Sequence, residues 1–446
     1  MSGQTSSGGG APAGVMMTFR TLRYRNYRLF FTGQLISLIG TWMQQLALTW
    51  LIYRLTNSAF LLGIAGFAGQ IPMFLFGSIA GVIADRINKH RILVITQTLS
   101  MIQAIVLAFL TLSGSIQVWH ILPLMVFLGM VNAFDMPTRQ SFVLEMIENK
   151  EDLGNAIALN SSMFNGARLI GPAIAGILIG TIGEGGCFIL NAVSFVAVII
   201  ALLAMKLKPM KPVAHHPSIL HGLKEGFRYV TTFKPITYIL SLIAIMSLIG
   251  IPFTTLMPVF ARDILHGGPH TLGFLMGAHG IGALLGAATL ASRKNVRGLT
   301  RWIAGAAFTF AAGLTLFAFS TNQWLSLSLL IVVGYGMMVQ IASCNTIIQT
   351  VADDDKRGRV MSFYTVAFTG MSPFGSLLIG ALASRIGAPW SLAISGILCV
   401  GAAVFFVVKL PVIRKEIHPV YRKIGIIQDS PAEDIPAAPV PVPEDQ

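Results

Sequence analysis

Charged residues are scarce in this chain of 446 residues, where Asp, Glu, Lys and Arg together make up 11%. Hydrophobic residues make up 54%, and the mean hydropathy is +0.72. Because soluble globular domains contain about 25% charged residues, this composition excludes an ordinary soluble protein. It is typical of a protein with many membrane-spanning helices.

Cysteine is equally rare. The chain has three: Cys187, Cys344 and Cys399. They lie in or beside apolar runs without CxxC spacing, which disfavours a disulfide framework or a zinc site. We interpret them as small residues of a membrane core. His215, His216 and His221 lie close together, but nothing nearby completes a metal site, so neither a metal nor another cofactor is expected.

Several familiar motifs are missing. The sequence contains no GxxxxGKS/T, GxSxG or HExxH segment, so neither ATP-driven nor hydrolytic chemistry has support and we do not expect an enzyme. The first residues, MSGQTSSGGGAPAG, lack the basic and apolar regions of a cleaved secretory signal. We therefore predict that residues 1–18 are disordered and that the first membrane helix directs insertion.

Apolar residues occur in blocks of about 20, the length that an α-helix needs to cross a bilayer. We predict an all-α membrane protein with twelve spans, at residues 29–53, 60–83, 92–113, 117–141, 156–182, 187–206, 236–261, 271–292, 301–319, 323–349, 361–384 and 388–409.

The net charge of +13 has an uneven distribution along these spans. With a cytoplasmic N-terminus, all but four of the 31 Lys and Arg residues lie on the cytoplasmic side. Arg54, Arg262 and Arg385 lie outside, and Arg168 lies within a span. This positive-inside pattern sets the orientation of a membrane protein and does not indicate nucleic acid binding. Both termini are therefore predicted to be cytoplasmic.

The segment before the first span alternates aromatic and basic residues, with arginines at Arg20, Arg23, Arg25 and Arg28. This pattern favours an anchor at the lipid headgroups. Within the first span, Gln34, Thr41 and Gln45 share one helical face. Such a polar stripe faces either a water-filled cavity or a neighbouring helix, and the sequence leaves both interpretations open.

Glycine spacing indicates a duplicated chain. Four pairs are each separated by 204 residues: Gly154 and Gly358, Gly171 and Gly375, Gly176 and Gly380, Gly183 and Gly387. We predict an N-terminal segment, a six-helix half, a cytoplasmic linker, a second six-helix half and a largely disordered tail, at residues 1–18, 19–206, 207–235, 236–410 and 411–446. Within the linker, HGLKEGFRYV suits an amphipathic helix with Leu223, Phe227 and Val230 toward the bilayer.

Asp135 is the only acidic residue placed well inside a predicted span. A carboxyl group in lipid surroundings favours its neutral form, which suits a proton carrier. Arg139 follows four residues later on the same helical face. Arg168 lies at a similar depth in the next span. Two hypotheses remain open: Asp135 and Arg168 form a switchable pair that couples protons to transport, or they form a permanent structural salt bridge.

The turn between the second and third spans contains Gly81, Asp85, Arg86, Lys89 and Arg91 within GSIAGVIADRINKHRIL. It resembles the G-x-x-x-D-R-x-G-R-K signature of the major facilitator superfamily. Asn88 stands where the superfamily has Gly, and it is the residue that best tolerates a left-handed backbone after Gly. The resemblance implies that Glu145 pairs with Lys89 or Arg91 as a conformational latch and that Asp85 lies by the eleventh helix.

The fifth span, GARLIGPAIAGILIG, is similar to the G-P-x-x-x-G signature of antiporters in this superfamily, with Ala167 at a position that usually holds Gly. Gly171, Pro172 and Gly176 are then expected to bend the helix and to let a neighbour approach closely. With MPTRQSFV and KRGRVMSFY, the chain most resembles the branch that contains the enterobactin exporter and macrolide-efflux transporters.

This resemblance implies a central cavity open alternately to either side of the membrane. The residues expected to line it are Gln34, Thr41, Gln45, Asn132, Asp135, Gln340 and Asn345. The expected function is export of a small amphipathic drug or siderophore by proton antiport, by a monomer in the bacterial inner membrane. The alternatives are a uniporter, importer or lysophospholipid flippase of this fold, and a membrane sensor that does not transport.

Overall fold

The computed structural model describes residues 19–147, 149–206, 219–293, 295–424 and 426. The predictions for residues 1–18, for His215 and His216 and for the tail after Ile426 lie outside the described residues, as do the side chains of Leu223, His221, Asp85 and Arg86. Within the described part, the chain is helical and contains no strand.

Within the described residues, twelve helices follow a short 3-10 turn at Phe19–Arg23. They are α1 Arg25–Thr56, α2 Ala59–Arg86, α3 Lys89–Leu112, α4 Val118–Glu145, α5 Leu153–Leu203, α6 Ile219–Thr232, α7 Lys234–Ile264, α8 Pro269–Ala291, α9 Leu299–Ala318, α10 Gln323–Val351, α11 Arg357–Ile386 and α12 Ala388–Lys423.

Eleven of these helices are long and apolar enough to cross a membrane, and α5 contains two of the predicted spans. Gly183 divides α5, with φ 73° and ψ 176°, a conformation that only glycine adopts readily. The described residues therefore supply twelve crossing segments, and the predicted fold class is confirmed. The last helix continues to Lys423, past the expected boundary at residue 410, because Ile413, Ile417 and Tyr421 are buried against the second half.

The repeated glycines have matching surroundings in the two halves. Gly176 of α5 contacts α8, and its counterpart Gly380 of α11 contacts α2. Gly171 packs on α1, whereas Gly375 packs on α7. Gly387 has a positive φ of 84°, like Gly183. The two halves thus use the same glycine positions for equivalent helix contacts, as a duplicated chain requires.

Helices α7 and α11 are irregular in their middle. In α7 a π-helical turn at Met246–Gly250 precedes a 3-10 segment that contains Pro252, and α11 has a π-helical turn at Val366–Gly370. Because proline cannot donate a backbone hydrogen bond, the pattern of backbone hydrogen bonds in α7 changes around Pro252. Ser247 Oγ donates to the carbonyl of Phe368, which joins the two irregular turns.

The linker helix α6 packs on the second half. Glu225 Oε2 lies 2.5 Å from Arg359 Nη1, and the Phe227 and Phe363 rings are 6.2 Å apart. Phe227 is exposed, as expected for a residue that faces the bilayer, but Val230 is 7% exposed and belongs to the core. The expectation that Val230 faces lipid was therefore wrong, because α6 lies against α11.

The segment before α1 is fixed by Asp152, in the connection between α4 and α5. Arg23 Nη2 and the Tyr24 hydroxyl each donate to Asp152 Oδ2 at 2.7 Å, and Arg20 Nε lies 3.6 Å from Oδ1. Arg25 donates instead to the carbonyl of Ala204. Three of the four arginines that were expected at the lipid headgroups thus form hydrogen bonds or ion pairs within the first half.

Gly183→Ala should destabilise the protein by about 1–3 kcal/mol, because alanine avoids this backbone conformation. Thermal unfolding of the purified protein measures the effect. Gly180→Ala is the matched control, since a Cβ at Gly180 meets nothing within 4 Å. Equal melting temperatures for the two variants would show that α5 does not need glycine at position 183 to break there.

Acidification should release the segment before α1. The Tyr24 hydrogen bond, followed by the charges of Arg23 and Arg20, lowers the pKa of Asp152 below its ordinary value. Its contribution to stability is therefore complete above the ordinary aspartate pKa and is lost as the pH falls through the lowered pKa. Asp152→Asn should melt earlier than the parent protein at neutral pH, and this difference should vanish in acid. A difference that persists in acid would refute the assignment.

Candidate functional site

The two halves meet along two pairs of helices, α5 with α8 and α2 with α11. A Cβ at Gly176 would lie 2.8 Å from the Cα of Gly273, and a Cβ at Gly63 would lie 2.6 Å from the carbonyl oxygen of Ser376. Small residues permit such close backbone approach between membrane helices. Both crossings lie toward one end of the bundle, which we call the far end. The first and last described residues lie at the opposite end, which we call the terminal end.

Polar contacts also join the halves at the far end. The Tyr53 hydroxyl donates to the Asp263 carboxylate, and Arg262 Nη1 donates to Asn57 Oδ1 at 2.6 Å. The Arg262 guanidinium also lies 5.8 Å from the centre of the Tyr53 ring. The sequence did not predict this cluster. Its only local signal was an adjacent arginine and aspartate at the end of a span.

At the terminal end, the hydrogen bonds and ion pairs described between side chains lie within one half or the other, and the side chains of Asp85 and Arg86 are outside the described part. Lys89 Nζ instead lies 2.7 Å from Glu145 Oε1, which links α3 to α4 within the first half. Arg91 has an exposed side chain, and a Cβ at Gly81 would meet nothing within 4 Å. Among the contacts that the structure describes, the halves are therefore joined at the far end and not at the terminal end.

Asn88 has a role other than the one expected from its tolerance of a left-handed backbone. Its backbone is extended, with φ −61° and ψ 109°, and its side-chain oxygen accepts a hydrogen bond from the Arg91 amide. Asn88 thus caps the first turn of α3 and satisfies an amide that the helix leaves free. Asn88 therefore does not adopt the left-handed backbone that its residue type tolerates.

Asp135 lies inside the first half, with 4% of its surface exposed. Its Oδ1 accepts hydrogen bonds from Thr96 Oγ1 at 2.8 Å and from Gln97 Nε2 at 2.7 Å. Its Oδ2 lies 3.5 Å from Arg139 Nε. Among the described residues, Arg139 is the base paired with Asp135 and Arg168 is not. The permanent Asp135–Arg168 salt bridge is therefore absent from this conformation.

Arg168 lies instead over the ring of Trp42, with 5.6 Å from its guanidinium carbon to the ring centre. Phe164, one turn earlier in α5, makes an edge contact with the same ring at 5.8 Å. Within the described part of the chain, no carboxylate is in ion-pair distance of Arg168.

The residues expected to line a cavity have different surroundings. Gln34 and Gln340 are buried, and Gln340 borders a small apolar space between α7, α9, α10 and α11. Thr41 donates to the carbonyl of Ser37, and Asn345 accepts from Gln349. Gln45 and Asn132 are exposed. The predicted stripe Gln34, Thr41, Gln45 thus does not present one uniformly accessible face.

A buried polar network was missed beside that stripe. Gln44 Nε2 donates to Gln103 Oε1 at 2.9 Å, and Asn191 Nδ2 donates to Gln44 Oε1 at 2.8 Å. Ser194 Oγ donates in turn to Asn191 Oδ1 at 3.0 Å. These amides join α1, α3 and the second part of α5, so they serve the packing of the first half.

Twelve spans in two similar halves, meeting along two helix pairs, define a membrane protein of the major facilitator fold. Residues 16–423 match the model of the transmembrane secretion effector family, and the chain belongs to this family of the major facilitator superfamily.

Named relatives agree with this membership. The chain is 27% identical to the staphyloferrin A transporter of Staphylococcus aureus strain NCTC 8325, over 85% of this chain and 96% of that protein. It is 28% identical to the multidrug efflux pump Tap of Mycolicibacterium fortuitum, over 78% and 87%. It is 21% identical to macrolide efflux protein A of Streptococcus pyogenes, over 86% and 96%. The predicted superfamily and efflux branch are confirmed.

Solved structures share the fold. A POT family transporter in complex with 5-aminolevulinic acid superposes with a TM-score of 0.69 at 14% identity, over 87% of this chain and 96% of the other. A bacterial homologue of the lysosomal transporter Spinster, described as inward-facing and unoccupied, superposes with a TM-score of 0.61 at 14% identity, over 92% and 99%.

Gly176→Val should open the far end, because a Cβ there overlaps Gly273 and overpacking of this kind costs about 1–3 kcal/mol. A Gly166→Cys reporter on the terminal side of α5 measures the change, since a Cβ at Gly166 meets nothing within 4 Å and the three native cysteines are buried. Maleimide labelling of the reporter should slow in Gly176→Val and stay unchanged in Gly180→Val. Unchanged labelling in both variants would show that the crossing does not govern access.

Proposed function

We propose that this chain exports a small amphipathic compound, such as a drug or a siderophore, from the bacterial cytoplasm by proton antiport with alternating access. One observation carries the proposal: among the described contacts, the two halves are joined at the far end and not at the terminal end, in a family whose named relatives are efflux-type transporters. A transporter of this fold needs such an asymmetric state, and its mirror state, to move a substrate across.

The charge pattern supports the orientation. Because the basic residues are concentrated at the terminal end, that end faces the cytoplasm under the positive-inside rule, in the bacterial inner membrane. The present conformation is then inward-facing. The far-end cluster of Tyr53, Asp263, Arg262 and Asn57 is the gate that must separate before the cavity opens outside.

Asp135 is the proposed proton carrier. Its ionised form is held by Thr96, Gln97 and Arg139, two of which lie on α3 and one on its own helix. Protonation removes the charge that these groups stabilise and frees Arg139 and the α3 side chains to move. A direct pairing of Asp135 with Arg168 belongs to a different access state in this scheme, since Arg139 holds the carboxylate here.

The Lys89–Glu145 pair is the proposed latch of the first half, together with Gly81, Asp85, Arg86 and Arg91. Its 2.7 Å contact fixes the start of α3 relative to the end of α4. Asp135 joins the same two helices deeper in the membrane. Protonation of Asp135 would therefore loosen the contact between α3 and α4 within the membrane, while the Lys89–Glu145 pair still joins these helices at the terminal end. The transporter is proposed to act as a monomer.

Export is tested in inverted membrane vesicles, by scanning macrolides, cationic drugs and catecholate siderophores with and without a proton gradient. Gradient-driven accumulation should fall about tenfold or more in Asp135→Asn, because the neutral side chain cannot exchange a proton, while substrate counterflow without a gradient should persist. Asp354→Asn is the matched control, since its side chain is 90% exposed at the terminal end.

The alternatives give different results. If transport by the parent protein does not depend on the proton gradient, a uniporter or flippase is favoured. Transport in the opposite direction would favour an importer. Full gradient-driven transport in Asp135→Asn would remove Asp135 from proton coupling. An absence of transport for every compound would favour a sensor.

A further inference from the structure

Arg168 lies where the two halves meet. On α5, Phe164 and Gly171 face α1, whereas Leu169 and Gly176 face α8. With about 100° of rotation per residue, the side chain at position 168 lies between these two faces. The guanidinium is therefore directed between α1 of the first half and α8 of the second.

The Trp42 ring forms one wall beside this guanidinium. It lies at cation–π distance from Arg168 and is fixed at its edge by Phe164. A guanidinium stacked on a ring keeps its in-plane N–H groups directed outward, where they can bind a planar anion. In the part of the chain that the structure describes, these groups donate to no carboxylate.

His279 of α8 faces the same region from the second half. Gly273 and Gly280 of α8 face α5, and Gly282 and Gly286 face α10, so His279 lies between these contacts. Its side chain is 1% exposed, and within the described chain its Nε2 has no hydrogen-bond partner. The ring packs on Phe253, and the next residue, Gly280, packs against Leu169, the residue that follows Arg168.

The charges in this region do not balance. Asp135 is matched by Arg139, whereas Arg168 has no acidic partner among the described residues. An unmatched cation within a membrane is costly, and a buried polar nitrogen without a partner is costly as well. A ligand with negative charge satisfies Arg168, and a polar group on that ligand satisfies His279. The Trp42 face favours a flat, conjugated ring system beside the charge.

We propose that Arg168, Trp42 and His279 form a substrate subsite that binds an anionic group attached to a planar ring system. The proposal rests on the export function above and narrows its substrate class. The site is reached from the terminal end, where Gly166 on α5 borders open space and no described contact joins the halves. Neutral and cationic ring compounds lack the group that Arg168 selects.

Two dyes with the same xanthene ring and opposite charge test this selectivity. Fluorescein is anionic and rhodamine 123 is cationic at mildly alkaline pH. Binding of each dye to the purified full chain in lipid nanodiscs is measured by fluorescence anisotropy, and export of each is measured in inverted vesicles. We expect fluorescein to bind more tightly than rhodamine 123 and to be the dye that is exported.

Substitutions assign the selectivity to the subsite. Arg168→Gln should weaken fluorescein binding about tenfold or more and leave rhodamine 123 binding unchanged, because it removes a charge-assisted contact. Arg168→Lys should give an intermediate loss, since it keeps the charge without the planar fork. Trp42→Leu should weaken fluorescein binding through loss of the ring face. Arg293→Gln is the matched control: Arg293 also lies over a tryptophan, Trp302, at 4.7 Å, but outside this region.

Each result is decisive. Should Arg168→Gln fail to fold, as judged by size-exclusion chromatography, Arg168→Lys and Trp42→Leu test the same subsite. Fluorescein binding that is unchanged in the folded Arg168 and Trp42 variants overturns the proposal. So does preference for rhodamine 123, or binding of neither dye, in the parent protein. Selective fluorescein binding without any export would support the subsite and count against the proposed function.

Discussion

The rest of the structure depends on the contact of glycine with glycine at the far end. Membrane helices gain little from hydrophobic burial against each other, because lipid is as apolar as their side chains, so association relies on close packing. Gly176 with Gly273 and Gly63 with Gly380 let two pairs of backbones approach at a distance that a Cβ would prevent. These crossings hold one end of the two halves together and leave the other end free to part.

The same duplication that supplies these glycines arranges the irregular helices. Gly171 and Gly375 occupy matching positions, but the first packs on a regular helix and the second on the irregular turns of α7. Ser247 and Phe368 then join α7 to α11 at their π-helical turns. The second half therefore holds its irregular backbone segments beside each other, whereas the first half has buried hydrogen bonds around Asp135 and Gln44.

The buried charged residues also differ between the interior of the first half and the boundary between the halves. In the first half the buried carboxylate is satisfied within its own helix bundle, by α3 and by Arg139 one turn away. Arg168 lies at the boundary between the halves, over the Trp42 ring and on the side of His279, whose Nε2 has no hydrogen-bond partner among the described residues. The proposed proton site inside one half and the proposed subsite between the halves are two places where binding would change the packing of the helices, as coupled transport requires.

Much of this protein was determined by its sequence alone. The spans agree with the helices to within a few residues of most boundaries, because hydropathy over about 20 residues is a local property. The end of a span at residue 182 was expected from hydropathy, and the close approach of a neighbouring helix at Gly176 was expected from the signature that α5 shares with antiporters. The tertiary structure decided which acid meets which base, since Asp135 had two bases at similar depth and helix rotation selected Arg139. It also decided that Val230 faces protein, that Gln44 rather than Gln45 joins the buried network and that Asp263 meets Tyr53. Each of these depends on the neighbour that a helix face meets, and hydropathy and spacing along one chain do not specify that neighbour.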